Sequence, residues 1–262
     1  MLTPALDSGR FIEDTILSVL AQSYPNVEHL VLAAGSTEAR ERALLDRYSE
    51  SLTVVRDGPV ELSPKLNLGF RLARGQIVGW LNADDVYLPA AVAEAVEALE
   101  QDGALALVYS NSLWIDEQGR ETRREASPVF DLDVMLNVGN LVPQPSAFVR
   151  KDAVLAVGGV DARYRYAQDY DLWIRIARRY PVRRVDAYWA AHRLHPQQQT
   201  ALHGRAGSSE LRRISRRHGG RRLSPLWRRH SAAGRTLTRI RDGDVSGLLV
   251  SAARQLRRRR GR

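Results

Sequence analysis

The chain has 262 residues, 44% of them hydrophobic, enough for one large α/β domain with an appendage. It contains no cysteine, which excludes a disulfide framework and thiolate chemistry. The net charge of +9 is uneven: residues 204–262 hold eighteen arginines, no lysine and three acids (Glu210, Asp242, Asp244), a balance of +15, against −6 for residues 1–203. An acidic body with a basic tail implies different partners for the two parts. With no apolar run of about 18 residues, no membrane-spanning helix is expected. The opening MLTPALDSGRF lacks the basic and apolar regions of a secretory leader, and a cytoplasmic location is expected.

Taken in chain order, residues 11–22 place Ile12, Ile16, Val19 and Leu20 at helical spacing. Residues 27–34 read as a strand buried on both faces. Residues 36–48 form a helix capped by Ser36 or Thr37, and residues 52–56 a short strand. Ser63-Pro64 opens the next helix, serine as cap and proline at the first helical position. A strand follows at 76–81, an alanine-rich helix after Pro89, and a strand at 104–110. Strands alternating with helices imply a parallel sheet with helices on both faces. Beyond residue 110 the rhythm changes. A turn falls at Asp116–Gly119, short helices at 131–138 and 151–157, and a strand at 146–150. A strong helix spans 169–180, and extended chain runs over 182–194. Helical pieces are expected near 207–218 and 245–258.

The stretch IVGWLNADDVYLP, residues 77–89, ends an apolar strand in a carboxamide and two adjacent carboxylates. In open parallel sheets ligands sit beyond the carboxyl ends of the strands. Asp84 and Asp85 there fit either a solvated turn capping the next helix or a site for a divalent metal. Hard oxygen ligands suit Mg²⁺ or Mn²⁺ bound through one or two carboxylates and a substrate's phosphates. No Gly-x-x-x-x-Gly-Lys-Ser loop, Gly-x-Gly-x-x-Gly motif or Cys/His cluster is present, which argues against ATP hydrolysis, dinucleotide redox chemistry and zinc.

An ordered set of segments accompanies this stretch: TPALDSGRFIEDTILSVLAQSYPNVEHLVL, GSTEA, LNLGFRLARGQIVGWLNADD, PQPSAFVRKDAVLAVGGVDARYRYAQDYDLWIRIA and YWAAHRLHPQQQT. Together they span roughly residues 3–200 and resemble the family-2 glycosyltransferases. The resemblance implies a GT-A fold, a Rossmann-like mostly parallel sheet with helices on both faces. It implies a domain over 1–203, its nucleotide-binding half about 1–110 and its acceptor half about 111–203, with an Arg-rich tail at 204–262. It implies an inverting transfer of a sugar from a nucleotide-diphospho-sugar, a UDP-sugar in the first instance, to a glycan or lipid-linked acceptor, as in cell-envelope polysaccharide synthesis. Mn²⁺ or Mg²⁺ is the implied cofactor.

Residue by residue, the match makes Asp84 the metal contact, with His195 as a second ligand set against a purely structural histidine. Asn82 takes a position where the family often has aspartate. It joins Thr3, Pro4, Ser36, Lys65 and Asp84 as donor-binding candidates. Asp85 is expected to support Asp84 or to cap a helix. Asp169 falls at the general-base position, its alternative being a helix cap; Asp171 is expected to point elsewhere. Gln144 and Gln168 are acceptor-side candidates. Trp173 and Ile174 read as core, and Arg175 as a surface or ion-pairing residue.

The sequence also departs from that pattern. Ala33-Ala34 stands before Gly35-Ser36-Thr37 where the family usually has an aspartate toward the nucleobase, and Pro59–Leu62 replaces Asp-Gly-Gly-Gln. Only Met1-Leu2 precede Thr3-Pro4. These departures keep open a non-catalytic GT-A-fold protein that binds a glycan or scaffolds a partner. In the tail, LLVSAARQLRRRR puts Leu248, Leu249, Ala252 and Leu256 on one helical stripe among arginines. Three readings stand: a peripheral contact with the inner face of the plasma membrane, a solvated tail, and, least favoured, nucleic-acid binding.

Overall fold

The computed structural model describes residues 1–5, 10–33 and 39–221. Three parallel strands form the first sheet, in the order β1 (Leu2–Ala5), β2 (Leu30–Ala33), β3 (Thr53–Val55). All residues of β1 and β2 are buried, as expected of strands covered on both faces. They are joined by α1 (Ile12–Leu20) and α2 (Ala39–Arg47), and α3 (Leu62–Leu72) follows β3. In α1 the i, i+4 pair Ile12 and Ile16 faces inward beside Val31 and Ala33, while Glu13 and Asp14 lie in the first turn, where the helix dipole favours acids.

The second sheet has the order β4 (Ile77–Gly79), β8 (Ala147–Arg150), β6 (Leu107–Ile115), β9 (Val182–Arg193), β5 (Val86–Tyr87), with β7 (Glu121–Glu125) paired to β6. Here β6 and β9 are parallel and every other pairing is antiparallel. Parallel pairing thus holds in the first sheet and in the β6–β9 pair. β8, from the second half of the chain, slots between β4 and β6. β4 continues into a parallel bridge between Leu2 and Trp80 that joins the two sheets.

Strand alternation distributes β6 between two apolar layers. Leu107 and Tyr109 pack with Leu66 and Phe70 of α3 and with Trp173 of α7 (Gln168–Ala177). Val108 packs on the other side with Leu99 of α4 (Ala91–Glu100), Phe148 and Trp189. Trp173 and Ile174 are fully buried, as read from the sequence. The remaining helices are α5 (Leu132–Val138), α6 (Lys151–Ala156) and α8 (Gln199–Arg217), the last kinked at His203. Asp131 caps α5 by accepting from the Val134 amide at 2.8 Å.

Some boundaries differ from expectation. α3 starts at Leu62, with Glu61 at the cap position and Ser63 buried inside the first turn. Pro64 is tolerated there because the first amides of a helix have no intrahelical partner. Neither Asp84 nor Asp85 caps α4, because β5 intervenes and α4 begins at Ala91. Asp169 is not the cap of α7; it sits in the first turn, after Ala167 and Gln168. The proposed cap of α2 and the helical piece at 245–258 lie outside the described residues.

Candidate functional site

β4 delivers the chain into a turn at Asn82–Asp85, closed by the Asp85 amide donating to the Asn82 carbonyl at 3.2 Å. Leu81 donates its amide to the Leu2 carbonyl at 3.0 Å, which fixes the turn at the end of the strand. The next strand to arrive is β9, and its end brings a histidine to the same place. His195 Nε2 lies 3.0 Å from Asp84 Oδ2, across 111 positions of sequence. The imidazole leans on the Phe11 ring with centroids 4.9 Å apart. Its Nδ1 is buried and has no hydrogen-bond partner among the described residues.

Asp85 turns inward and is 5% exposed. Its Oδ1 accepts from the Arg193 amide at 3.0 Å, and its carbonyl accepts from Thr15 Oγ1 at 2.8 Å. Burial, and then the neighbouring Asp84 charge, push its pKa well above the carboxylate range. The turn therefore presents one outward carboxylate, Asp84, on a buried support. His192, stacked on Trp114, is held neutral with a pKa of about 4 by burial, which the Asp84 charge only partly offsets.

Asn82 is tied to the loop before β8. Its Nδ2 donates to Gln144 Oε1 at 2.9 Å, its Oδ1 accepts from Trp80 Nε1 at 3.0 Å, and Gln144 Nε2 donates to the Trp80 carbonyl. Gln144 opens a 3-10 turn, Gln144–Ser146, and four residues before it stands Asn140. Asn140 Nδ2 donates to Asp169 Oδ2 at 2.8 Å. A line of contacts thus runs from the Asp84 turn through Asn82, Gln144 and the 140–144 loop to Asp169. Asp169 is half-buried, and burial raises its pKa to about 6 against the lowering pull of the Tyr170 amide and Asn140. Asp171 points the other way, to Arg175 at 2.7 Å and His218 at 2.9 Å. Burial raises its pKa, but its contacts with His218 and Arg175 outweigh burial and leave it below the ordinary value.

Other candidates have partners within the protein. Thr3 Oγ1 meets His29 Nε2 at 2.9 Å in a buried pair, and Pro4 is buried in β1. Lys65 is buried, and its ammonium donates to the carbonyls of Asp57 at 2.8 Å and Arg56 at 3.3 Å. Gln168 is 5% exposed at the start of α7. Ser36 lies outside the described residues. Ala33 packs in the core beside Ile12, Ile16 and Ala83.

Sequence reasoning missed two residues. Arg193 donates to the Asp84 carbonyl at 3.0 Å, to the Glu117 carbonyl at 3.2 Å and to Asp14 Oδ2 at 2.8 Å, and it lies 4.6 Å from the Phe11 ring centroid. Its side chain is 2% exposed, so it pins β9 and the Asp84 turn from beneath. A charged residue closing the apolar run Trp189–Ala191, two positions before His195, was the available signal. Asn140, in the polar Gly139-Asn140 pair, carried none.

The profile of Glycosyl transferase family 2 matches residues 1–158. An uncharacterised glycosyltransferase of Rickettsia conorii is 26% identical over 207 residues, covering 76% of this chain and 34% of that protein. The O-antigen biosynthesis protein RfbC of Myxococcus xanthus is 29% identical over 184 residues, 68% of this chain and 14% of that protein. The O-antigen biosynthesis glycosyltransferase WbnJ of Escherichia coli is 26% identical, covering 68% of this chain and 70% of that protein. The chain spans between 14% and 58% of the length of the first three curated relatives.

Among solved structures, TarS residues 1–349 of S. aureus with UDP-GlcNAc superposes with a TM-score of 0.61 at 13% identity, covering 75% of this chain and 58% of that one. The mannosyltransferase PcManGT of Pyrobaculum calidifontis, in complex with GDP-Man and Mn²⁺, gives 0.63 at 17% identity, covering 86% and 65%. The architecture is that of the GT-A glycosyltransferases. Within it, the chain belongs to glycosyl transferase family 2.

Proposed function

We propose that the chain is a metal-dependent, inverting glycosyltransferase. It moves a sugar from a nucleotide-diphospho-sugar, a UDP-sugar in the first instance, to a hydroxyl of a glycan or lipid-linked acceptor in cell-envelope polysaccharide or glycolipid synthesis. The observation that carries this reading is the meeting of Asp84 and His195 at 3.0 Å, at the end of β4. The O-antigen relatives support the envelope assignment.

A carboxylate oxygen and an imidazole nitrogen form a donor pair acceptable to Mn²⁺, and the carboxylate alone suits Mg²⁺. Among the described residues there is no group of three or more metal-binding side chains. Two protein donors match a metal that takes its remaining ligands from a diphosphate and water. When bound, the metal would supply charge stabilisation to the departing nucleoside diphosphate.

The rest of the chemistry is assigned to the chain's own groups. The acceptor oxygen attacks the anomeric carbon while the bond to the diphosphate breaks, and Asp169 takes the acceptor's proton. A carboxyl with a pKa of about 6 is mostly ionised at neutral pH and basic enough to help. Asn82, backed by Gln144, offers a carboxamide to the donor. Thr3, Pro4, Ser36 and Lys65 complete the donor side, Lys65 by holding the 56–57 loop. Gln144 and Gln168 flank the acceptor. The glycosyltransferase domain is proposed over 1–203, its halves meeting near 110. A cytoplasmic location, with the basic tail touching the inner face of the plasma membrane, fits this acceptor class.

Asp169→Asn tests the assignment against a panel of UDP-, GDP- and dTDP-sugars with Mn²⁺. Transfer should fall by about 10²-fold or more with folding and nucleotide binding kept. Unchanged transfer would refute Asp169 as the base. The second reading, a glycan-binding or scaffold protein with a degenerate donor pocket, draws on Ala33-Ala34. A missing hydrogen bond to a base weakens binding by roughly tenfold, so the departure alone does not remove a donor site.

A further inference from the structure

The segment after β9 lies beyond the residues matched by the family profile, and from residue 204 it read as an appendage. In the fold its described part, through Arg221, is a strap. Glu210 of α8 accepts hydrogen bonds from three successive backbone amides ahead of α7: Arg165 at 3.0 Å, Tyr166 at 2.6 Å and Ala167 at 2.9 Å. Consecutive amides turned to one point make an anion seat, here filled by the protein's own carboxylate. α7 has no side-chain cap of its own at Ala167. Glu210 instead holds, from another helix, the three amides that lead into α7, through charge-assisted bonds.

The same helix and the turn after it grip α5. Ser215 Oγ donates to the Leu136 carbonyl at 2.6 Å, and the Arg221 amide donates to Asn137 Oδ1 at 2.7 Å. Ile214 is fully buried in the cluster that contains Met135, Tyr170 and Trp173. α8 therefore fixes two elements relative to each other. One leads to Asn140, two residues past the end of α5. The other carries Asp169 as its second residue.

We propose that Glu210 is a positioning residue: by occupying the three-amide turn before α7 it holds Asp169 against Asn140. That Asp169 is a base rests on the function proposed above; that Glu210 places it does not. The test therefore reads geometry, in the ¹⁵N-labelled full chain. The Asn140 side-chain amide should show a pH-dependent shift with a midpoint near the Asp169 value of about 6, and Asp169→Asn should abolish it. In Glu210→Gln, which keeps the size but loses the charge, hydrogen exchange at residues 165–167 should rise by roughly tenfold or more. The Asn140 step should vanish or move, and Glu210→Asp should restore it in part.

The proposal is overturned if the three amides are freed and the Asn140 step keeps its size and midpoint, if Glu210→Gln changes neither, or if the step survives Asp169→Asn. Should Glu210→Ala fail to fold, the isosteric glutamine variant decides. A chain that transfers no sugar at all would leave these readouts standing, so the two proposals fail separately.

Discussion

At Asp169 the folded carboxyl has a pKa of about 6 against an ordinary 3.8. Between those values the folded chain holds a proton that the unfolded chain has released, so stability falls as pH rises from about 4 to about 6 and the cost persists above. Asp169→Asn removes that cost. With water reaching this half-buried group and screening it, the gain should be about 1 kcal/mol at pH 7.5 and absent at pH 4. Urea unfolding at the two pH values measures it; equal effects at both would contradict the raised value. Transfer itself should show an acid limb near pH 6. Arg193 works in the opposite sense. Arg193→Met strips donors from the Asp84 and Glu117 carbonyls beneath the site and should cost about 2–3 kcal/mol. Asp14 is half-exposed and can turn to water, which keeps the loss below that of a fully buried pair. A melting temperature unchanged by Arg193→Met would show that the turn stands without it.

Among the elements, β4 has the narrowest tolerance. A Cβ at Gly79 would meet the Tyr87 hydroxyl at 2.6 Å and the Phe148 ring at 3.0 Å. Gly79→Ala should force the Met1, Tyr87 and Phe148 side chains away from β4, costing about 1–3 kcal/mol, and should loosen the Asp84–His195 contact. Wild-type stability in that variant would mean the strands have slack that the packing does not suggest. The helices were legible because Ile12 and Ile16, or Leu172, Trp173 and Ile176, repeat at helical spacing, and local spacing is a property of sequence. The insertion of β8 between β4 and β6 was not, because strand partners are chosen by tertiary packing and Ala147–Arg150 carries no mark of its neighbours. The reach of β6 to Ile115 was missed because polar Ser110-Asn111-Ser112 interrupts its apolar run. All three are buried; Ser110 and Asn111 are bonded, Asn111 Oδ1 accepting from the Ser127 amide at 2.9 Å, while Ser112 Oγ has no partner among the described residues. The Asp84-Asp85 turn was legible from its place at the end of an apolar strand, and the roles of Asp84 and Asp169 came from family resemblance; Arg193 offered only a charge beside an apolar run, and Asn140 and Glu210 act through contacts that no local pattern announces.

Over the whole molecule, α8 carries the chain across residue 204 and docks on α5 and α7, so the basic segment begins as part of the body. Among the described residues no helix is long and apolar enough to cross a membrane. Residues 222–262 lie outside the described residues, and their proposed role is a surface contact with anionic lipid. Removing them should abolish sedimentation with phosphatidylglycerol vesicles and leave nucleotide binding intact; undiminished sedimentation would move the contact to the body. The central claim is a working nucleotide-sugar site at Asp84 and His195. Its most direct test is calorimetric titration of UDP, GDP and dTDP into the full chain with and without Mn²⁺. The account predicts Mn²⁺-dependent binding of one nucleotide, UDP first, that Asp84→Ala weakens. Absence of binding to all three by the folded protein would contradict it.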